Sequence, residues 1–279
     1  MKKYLILGSS GQIGSALVRY HKERGDEPLL FDIIDSPKQD LRKSSQYNGL
    51  LDKLKECDFV YFLAFNVGGS RYLSKYEHTY DFFDSNIRIM FNTFCSLRES
   101  FKPFIFTSSQ MSDMSHSPYG QLKKIGQEYT KLLGGLTVKL WNVYGAEQDE
   151  EKSHVITDFI KQARSRGRID MLTDGTEMRQ FLHVDDCCEA LYTLAKEYDN
   201  LDRQQELHIS SFCWSTISEV ANLVSSNYGN IEVLRDPSRI DEVQKDSRLE
   251  PDPFILKYWN PKIILEDGIT SLCETYNVN

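Results

Sequence analysis

The sequence has no apolar run approaching the roughly 20 residues of a membrane-spanning helix, so no such span is expected. A secretory leader is not expected either. Met1-Lys2-Lys3 could open one, but the apolar run behind it, Tyr4 to Leu7, stops at Gly8 and is too short. The chain is therefore predicted to stay in the cytoplasm. Positive charge is scarce: 33 Lys and Arg stand against 41 Asp and Glu, a formal net charge of −8. Tracking a nucleic-acid backbone needs a basic face, so nucleic acid is not an expected partner. A small anion is still compatible, because one helix N-terminus and one or two Arg can hold it. The six cysteines contain no C-x-x-C and no metal-ligand spacing, which predicts reduced, mostly buried thiols and no metal site. Repeats and low-complexity tracts are missing as well.

What is present suits a sizeable core. Of 279 residues, 40% are apolar and 12% aromatic. Short apolar runs at Lys3–Leu7, Pro28–Ile33, Asp58–Leu63, Pro103–Thr107 and Thr137–Trp141 read as strands. Helical patterns fill Gln12–Arg24, Ile87–Glu99 and Tyr119–Leu133 between them. Strands that are apolar throughout, alternating with helices, predict a parallel sheet covered on both faces, the α/β doubly wound Rossmann architecture. After about residue 145 the texture changes. His154–Arg166 and Asp185–Tyr198 read as helices, and the tail from Asn227 is richer in proline. The division expected is a dinucleotide-binding domain over 1–145 and a smaller substrate-binding region over 146–279, with segments returning to the first.

The first strand runs into Gly8-Ser9-Ser10-Gly11-Gln12-Ile13-Gly14. Glycines at this spacing allow a tight turn, close approach of a pyrophosphate and close helix–strand packing, and the following helix N-terminus offers free N–H donors. Asp32 ends the second strand, 18 residues after Gly14. A carboxylate there accepts from ribose hydroxyls and repels a ribose phosphate, and no Arg follows it closely, so NAD is favoured over NADP. Asp40-Leu41 offers a carboxylate and an apolar contact for adenine, or Asp40 is a loop cap.

Tyr119-Gly120-Gln121-Leu122-Lys123 puts a phenol and an ammonium four residues apart on one helix face. A nearby ammonium favours the phenolate, which can then exchange a proton with a sugar hydroxyl while hydride moves to or from a nicotinamide. Any Y-x-x-x-K alone carries little weight. Here it follows the fourth strand, which ends in Thr107-Ser108-Ser109, where the ligands of such sheets bind.

In family order, the segments GSSGQIG, DFVYFLAF, FIFTSSQM, SPYGQLKKIGQEY, VKLWNVYG and DGTEMRQFLHVDD cover roughly residues 4 to 195. Together they resemble the extended short-chain dehydrogenases/reductases that act as NAD-dependent nucleotide-sugar epimerases and dehydratases. The resemblance implies a catalytic triad of Ser109, Tyr119 and Lys123. It implies a cofactor site of Gly8, Gly11, Gln12, Ile13, Gly14, Asp32, Asp40, Leu41, Ala64, Tyr119 and Lys123. Gly69, Ser70, Ser109, Gln110, Asn142 and Arg179 would meet the nucleotide-sugar, Arg179 at its diphosphate, as its forked guanidinium suits. Val67-Gly68-Gly69 resembles a loop of members acting on GDP-sugars, or is a plain turn. A homodimer through the helices at Ile87–Glu99 and Tyr119–Leu133 is also implied.

Some members depart from this chain. Dehydratases carry an acidic pair after the catalytic hydroxyl, and 3,5-epimerases a Cys; here Gln110 and Met111 stand there, and neither is an acid or base at neutral pH. The expected reaction is therefore hydride exchange at carbon 4, without dehydration or 3,5-epimerisation. Within the family the pattern FLAFNVGG…SSQMS…SPYG most resembles the GDP-heptose 4-dehydrogenases of bacterial capsule pathways. A 4-epimerase is the alternative enzyme, and a non-catalytic NAD-binding sensor the alternative of another class. Other candidates read as structural: Asp186-x-x-Glu189 as a capping box, His183 as packing, Cys187-Cys188 as buried neighbours.

Overall fold

The computed structural model describes residues 2–239, 241, 243 and 249–278. β1 (Tyr4–Leu7) leads through the glycine-rich turn into α1 (Gln12–Glu23). β2 (Leu29–Phe31) is followed by two short helices, α2 (Ser45–Asn48) and α3 (Leu50–Glu56). β3 (Phe59–Phe62) is followed by α4 (Ser70–Tyr76) and the long α5 (Tyr80–Ser100). β4 (Phe104–Ser109) enters a single 3-10 turn at Gln110–Asp113, and α6 (Pro118–Leu132) and β5 (Leu136–Leu140) follow. Beyond lie β6 (Val143–Tyr144), α7 (Val155–Arg166), β7 (Arg168–Asp170), β8 (Met178–Arg179), β9 (Leu182–His183) and α8 (Val184–Lys196). The chain closes with β10 (Leu207–Ile209), β11 (Ser215–Thr216), α9 (Ile217–Asn227), β12 (Glu232–Leu234) and α10 (Leu265–Val278).

Six strands form one sheet in the order β10-β5-β4-β3-β1-β2, every pair parallel. This is the doubly wound Rossmann fold. β1, β3 and β4 are buried at every residue, which explains why their sequences are apolar without alternation. One face of the sheet packs Leu17 and Tyr20 of α1 with Leu191 and Leu194 of α8. The other packs Leu54 of α3, Phe94 and Leu97 of α5 and Leu122 of α6. A separate core joins α7, α9 and α10 through Ile160, Val224 and Leu272. β10 comes from the second half of the chain yet completes the sheet edge, Leu207 opposite Val138. The chain winds from β1 to β2 on one side and then to β3 on the other, so the crevice between the ends of β1 and β3 is the switch point where such sheets bind ligands.

Two expectations change. α5 begins seven residues before Ile87, because the Thr79 hydroxyl accepts from the Phe82 N–H and caps the helix there. Asp186 and Glu189 form no capping box: the cap of α8 is His183, whose ring nitrogen accepts from Asp185 N–H at 3.2 Å. Asp186 instead accepts from the backbone N–H groups of Lys262 and Ile263 at 2.9 and 2.8 Å, tying the C-terminal segment to the first half of α8. His183 also packs edge-on against Tyr144, and Cys187 and Cys188 are both buried. On the outer surface α5 leaves Tyr80, Ile87 and Phe91 exposed, and α6 leaves Ile125, Tyr129 and Leu132 exposed.

Candidate active site

All residues proposed from the sequence for cofactor, chemistry and substrate line one cavity of about 1490 Å³. At one end the glycine-rich turn is required sterically. Gly8 has φ +87°, and a Cβ on it would stand 2.8 Å from the backbone nitrogen of Ala64. A Cβ on Gly14 would stand 1.9 Å from the Gly8 carbonyl oxygen. β1, α1 and the end of β3 therefore meet with no room for side chains, and the α1 N-terminus, with Gly11 as its cap, faces the cavity. Asp32 stands beside the turn, its carboxylate accepting from Ser10 N–H at 3.1 Å. This cradle and its carboxylate fit a dinucleotide.

Arg42, absent from the sequence argument, lines the same cavity. Its guanidinium grips Asp40 with two bonds of 2.8 and 3.0 Å. That bond holds the Asp40 carboxyl below the usual carboxylate range, against the opposing effect of its burial. Asp40 thus spends its carboxylate on a neighbouring Arg.

The chemistry-bearing groups come from β4 and α6. Ser109 ends β4, and its hydroxyl hydrogen-bonds the Tyr119 phenol. The Ser117 hydroxyl caps α6 and Pro118 fills its first turn, setting Tyr119 just inside the helix. A Cβ on Gly120 would stand 2.0 Å from the Met111 carbonyl oxygen, so this glycine lets α6 press against the turn after Ser109. Lys123 Nζ donates to the Thr107 carbonyl at 2.7 Å and sits 3.9 Å above the Phe65 ring.

The electrostatics differ from the simple expectation that Lys123 lowers the phenol. Burial pushes Tyr119 up to about 12, with the Ser109 bond opposing it. Burial pushes Lys123 down to about 7. Both side chains are enclosed among aromatic groups, and the ammonium is turned toward Thr107.

Elsewhere along the cavity, two loops clasp. Gly69 N–H donates to the Lys152 carbonyl at 3.0 Å, and a Cβ on Gly69 would stand 2.3 Å from the Ser153 carbonyl oxygen. Gly68 is as tight, a Cβ there meeting Lys152 Cα at 2.9 Å. Arg71 pairs with Asp158 at 2.9 Å and Lys75 with Glu151 at 3.2 Å across the same seam. Asn142 takes a positive φ of 23°, unusual for a residue with a side chain. Arg179 is ion-paired with Asp241.

A titratable pair also lines this cavity that the sequence argument passed over. His154 Nδ1 and Glu147 Oε1 are 2.5 Å apart, and His154 N–H donates to Glu147 Oε2 at 2.9 Å. Burial pushes the Glu147 carboxyl up, but its bonds to His154 outweigh that and hold it below the usual range. Gln110 and Met111 are therefore not the only positions that bear on acid–base chemistry here: His154 and Glu147 line the same cavity. No short motif flags this pair: the two residues are seven apart in an irregular loop. Among the described residues no group of three or more His, Cys, Asp or Glu could hold a metal ion, and no helix is long and apolar enough to cross a membrane.

The displaced Lys123 has a measurable consequence. Its folded value, about 7, lies below its ordinary 10.5. Between those values the unfolded chain binds more protons, so stability rises with pH across this window and the burial penalty is full below it. Relative to Lys123→Met, the ligand-free wild type should gain up to about 1.4 kcal/mol per pH unit from pH 7 to 10 in urea unfolding. Parallel curves would mean that the lysine stays charged in the folded protein.

Comparison with known proteins agrees with this geometry. Residues 4–210 match the family model described as "NAD dependent epimerase/dehydratase family". GDP-L-fucose synthase 1 of Arabidopsis thaliana is 25% identical, the match covering 99% of this chain and 94% of the relative. A GDP-6-OMe-4-keto-L-xylo-heptose reductase from C. jejuni superposes with a TM-score of 0.82 at 20% identity, covering 99% of this chain and 98% of that one. The UDP-glucose 4-epimerase of Thermotoga maritima does so with a TM-score of 0.78 at 19% identity, each chain 99% covered. With a strand-end serine, a helix-borne Tyr/Lys pair and a glycine cradle in one cavity, and with three-quarters of its length matched, the chain is an NAD-dependent enzyme of the nucleotide-sugar epimerase/dehydratase family.

Proposed function

We propose that the protein oxidises carbon 4 of a nucleotide-sugar, a GDP-linked heptose or hexose, to the 4-keto sugar, without loss of water and without inversion at carbons 3 and 5. The observation that carries this reading is the meeting of Ser109, Tyr119 and Lys123 with the glycine cradle and Arg179 in a single cavity. The 4-epimerase alternative shares every one of these groups and differs only in returning the hydride. The GDP preference is supported by relatives named as acting on GDP-sugars. Residues 146–279 are assigned to substrate binding, and six unpaired cysteines suit the reducing cytoplasm.

NAD, when bound, supplies the acceptor for the hydride that leaves carbon 4. The chain supplies the rest. Tyr119 must first lose its own proton to solvent, against the burial that pushes the phenol up to about 12. The phenolate Oη then takes the proton of the carbon-4 hydroxyl as the carbonyl forms, and Ser109 Oγ steadies both oxygens. Lys123 Nζ, titrating near neutrality, carries charge in and out of this enclosed space. Arg179 anchors the diphosphate at the price of sharing or releasing Asp241.

Purified enzyme incubated with NAD and GDP-sugars should form NADH and a product two mass units lighter. Tyr119→Phe should bind NAD and lose on the order of 10²-fold or more in turnover. In deuterated water carbon 5 should take up no label beyond the enzyme-free background. Enzyme-dependent label that disappears in His154→Asn would transfer the protein to the 3,5-epimerases; loss of 18 mass units would make it a dehydratase; inversion at carbon 4 with no net mass change would make it a 4-epimerase.

The cofactor end carries its own test. Asp32 opposes a ribose phosphate, and Asp40 occupies Arg42, a guanidinium that lines the same cavity, so NAD should bind tighter than NADP. Asp40→Asn releases Arg42 and should improve NADP binding about tenfold, with a smaller effect on NAD. Equal shifts for both would place Arg42 away from the ribose.

We also propose an isologous dimer through the exposed apolar face of α5 and α6, since closed twofold pairing is the commonest way to cover such a face. Light scattering should give twice the 32.3 kDa chain mass, and Phe91→Glu with Tyr129→Glu should halve it. A wild-type monomer at micromolar concentration would remove the dimer.

A further inference from the structure

We infer that Glu177 reads the base of the substrate and selects guanine. The inference rests on the reading of the ligand as a nucleotide-sugar and extends it to a named residue. Glu177 precedes β8, two residues before Arg179, so on this extended segment both side chains leave the same side of the backbone about 7 Å apart. Both line the cavity. The backbone here is held on its other strand: the Glu177 carbonyl accepts from Ile217 N–H at 3.0 Å, and Ser218 N–H reaches the Gly175 carbonyl at 2.9 Å. A diphosphate held by Arg179 thus leaves its nucleoside within reach of Glu177.

Two features of this end of the cavity have no internal explanation. Glu177 Oε2 is shut off from water with no hydrogen-bond partner. An unpaired carboxylate oxygen is costly, and a ligand donor relieves that cost. A change of rotamer along the Glu177 side chain turns both carboxylate oxygens into the cavity that the residue lines, where a ligand supplies the missing donors. Leu172 lines the same cavity and is 44% exposed, an apolar side chain left wet. A flat apolar ring with a polar edge satisfies both.

The edge must carry donors. A carboxylate accepts only, and two adjacent donors match its two oxygens. Guanine presents them, as the ring N1–H beside the 2-amino group. Uracil and thymine set a single N–H between two carbonyls that repel the carboxylate. Adenine and cytosine set an amino group beside an unprotonated ring nitrogen. Hypoxanthine has the ring N–H without the amino group. The ribose diol also offers two donors, but every nucleotide shares it, so it cannot discriminate among them.

Titration calorimetry with bare nucleotides isolates this contact from turnover. Wild type should bind GDP at least tenfold tighter than inosine diphosphate or UDP. Glu177→Ala should weaken GDP alone and bring the three within about threefold, while the ligand-free melting temperature stays level or rises, because the side chain supports no internal bond and its unpaired oxygen is costly. Glu177→Gln, which sets an amide donor against the donors of the base, should do the same and serves if the alanine variant misfolds. Equal binding of all three by the wild type overturns the inference, and so does an equal loss of all three in the variants, which would place Glu177 at the ribose. Turnover of a nucleotide-sugar without separation of GDP from inosine diphosphate refutes this contact alone. Separation without oxidation of any GDP-sugar refutes the proposed reaction alone.

Discussion

The close seat of α6 on β4 is the contact on which the rest of the site depends. Two glycines make it possible: a Cβ on Gly126 would stand 2.4 Å from the Phe106 ring, and one on Gly120 would collide with the Met111 carbonyl. Polar ties then lock the register. Gln127 donates to the hydroxyls of Ser108 and Ser112 at 2.6 and 2.8 Å, and Lys123 donates to the Thr107 carbonyl. A bulkier helix face would lift Tyr119 off Ser109 and open the site to water. The same enclosure shifts Tyr119 and Lys123 in opposite directions, each away from its charged form. Enclosure and reactivity are thus two results of one packing decision.

A second constraint acts across the cavity. α4 is joined to the 147–158 segment by Arg71–Asp158 and Lys75–Glu151, and at its other end Glu77 accepts from the Ser117 hydroxyl at 2.8 Å, directly at the cap of α6. The 147–158 segment and the helix that carries Tyr119 therefore share one short helix. α10 closes the far side, Tyr276 exchanging bonds of 2.9 Å with the backbone N–H and carbonyl of Glu147. A site spread over so many separated segments is held by pairing between them, since no single element spans it.

The Rossmann half was legible because its signals are local. Apolar strands without alternation, a glycine spacing at a strand end and a Tyr four residues before a Lys each sit within a short window, and all of them came together in one cavity. The second half was less legible. β10 is three residues long and earns its place only by pairing with β5. The acidic residues of α8 read as a cap from spacing alone, yet Asp186 serves backbone groups more than 70 residues away. His154 and Glu147 escaped notice because an irregular loop has no periodicity to betray which side chains face inward.

By itself the sequence determined the sheet and the glycine turn at its switch point, and singled out the Tyr119 and Lys123 pair, because steric need for glycine and the burial of strands act between neighbours in the chain. Only the tertiary structure decided how those groups are tuned and what surrounds them. It buried Lys123 away from its phenol, spent Asp40 on Arg42, brought His154 to Glu147 inside the cavity and left Glu177 with an unpaired oxygen. Desolvation and charge pairing depend on which distant segments close over a residue, and a short stretch of sequence carries no record of that.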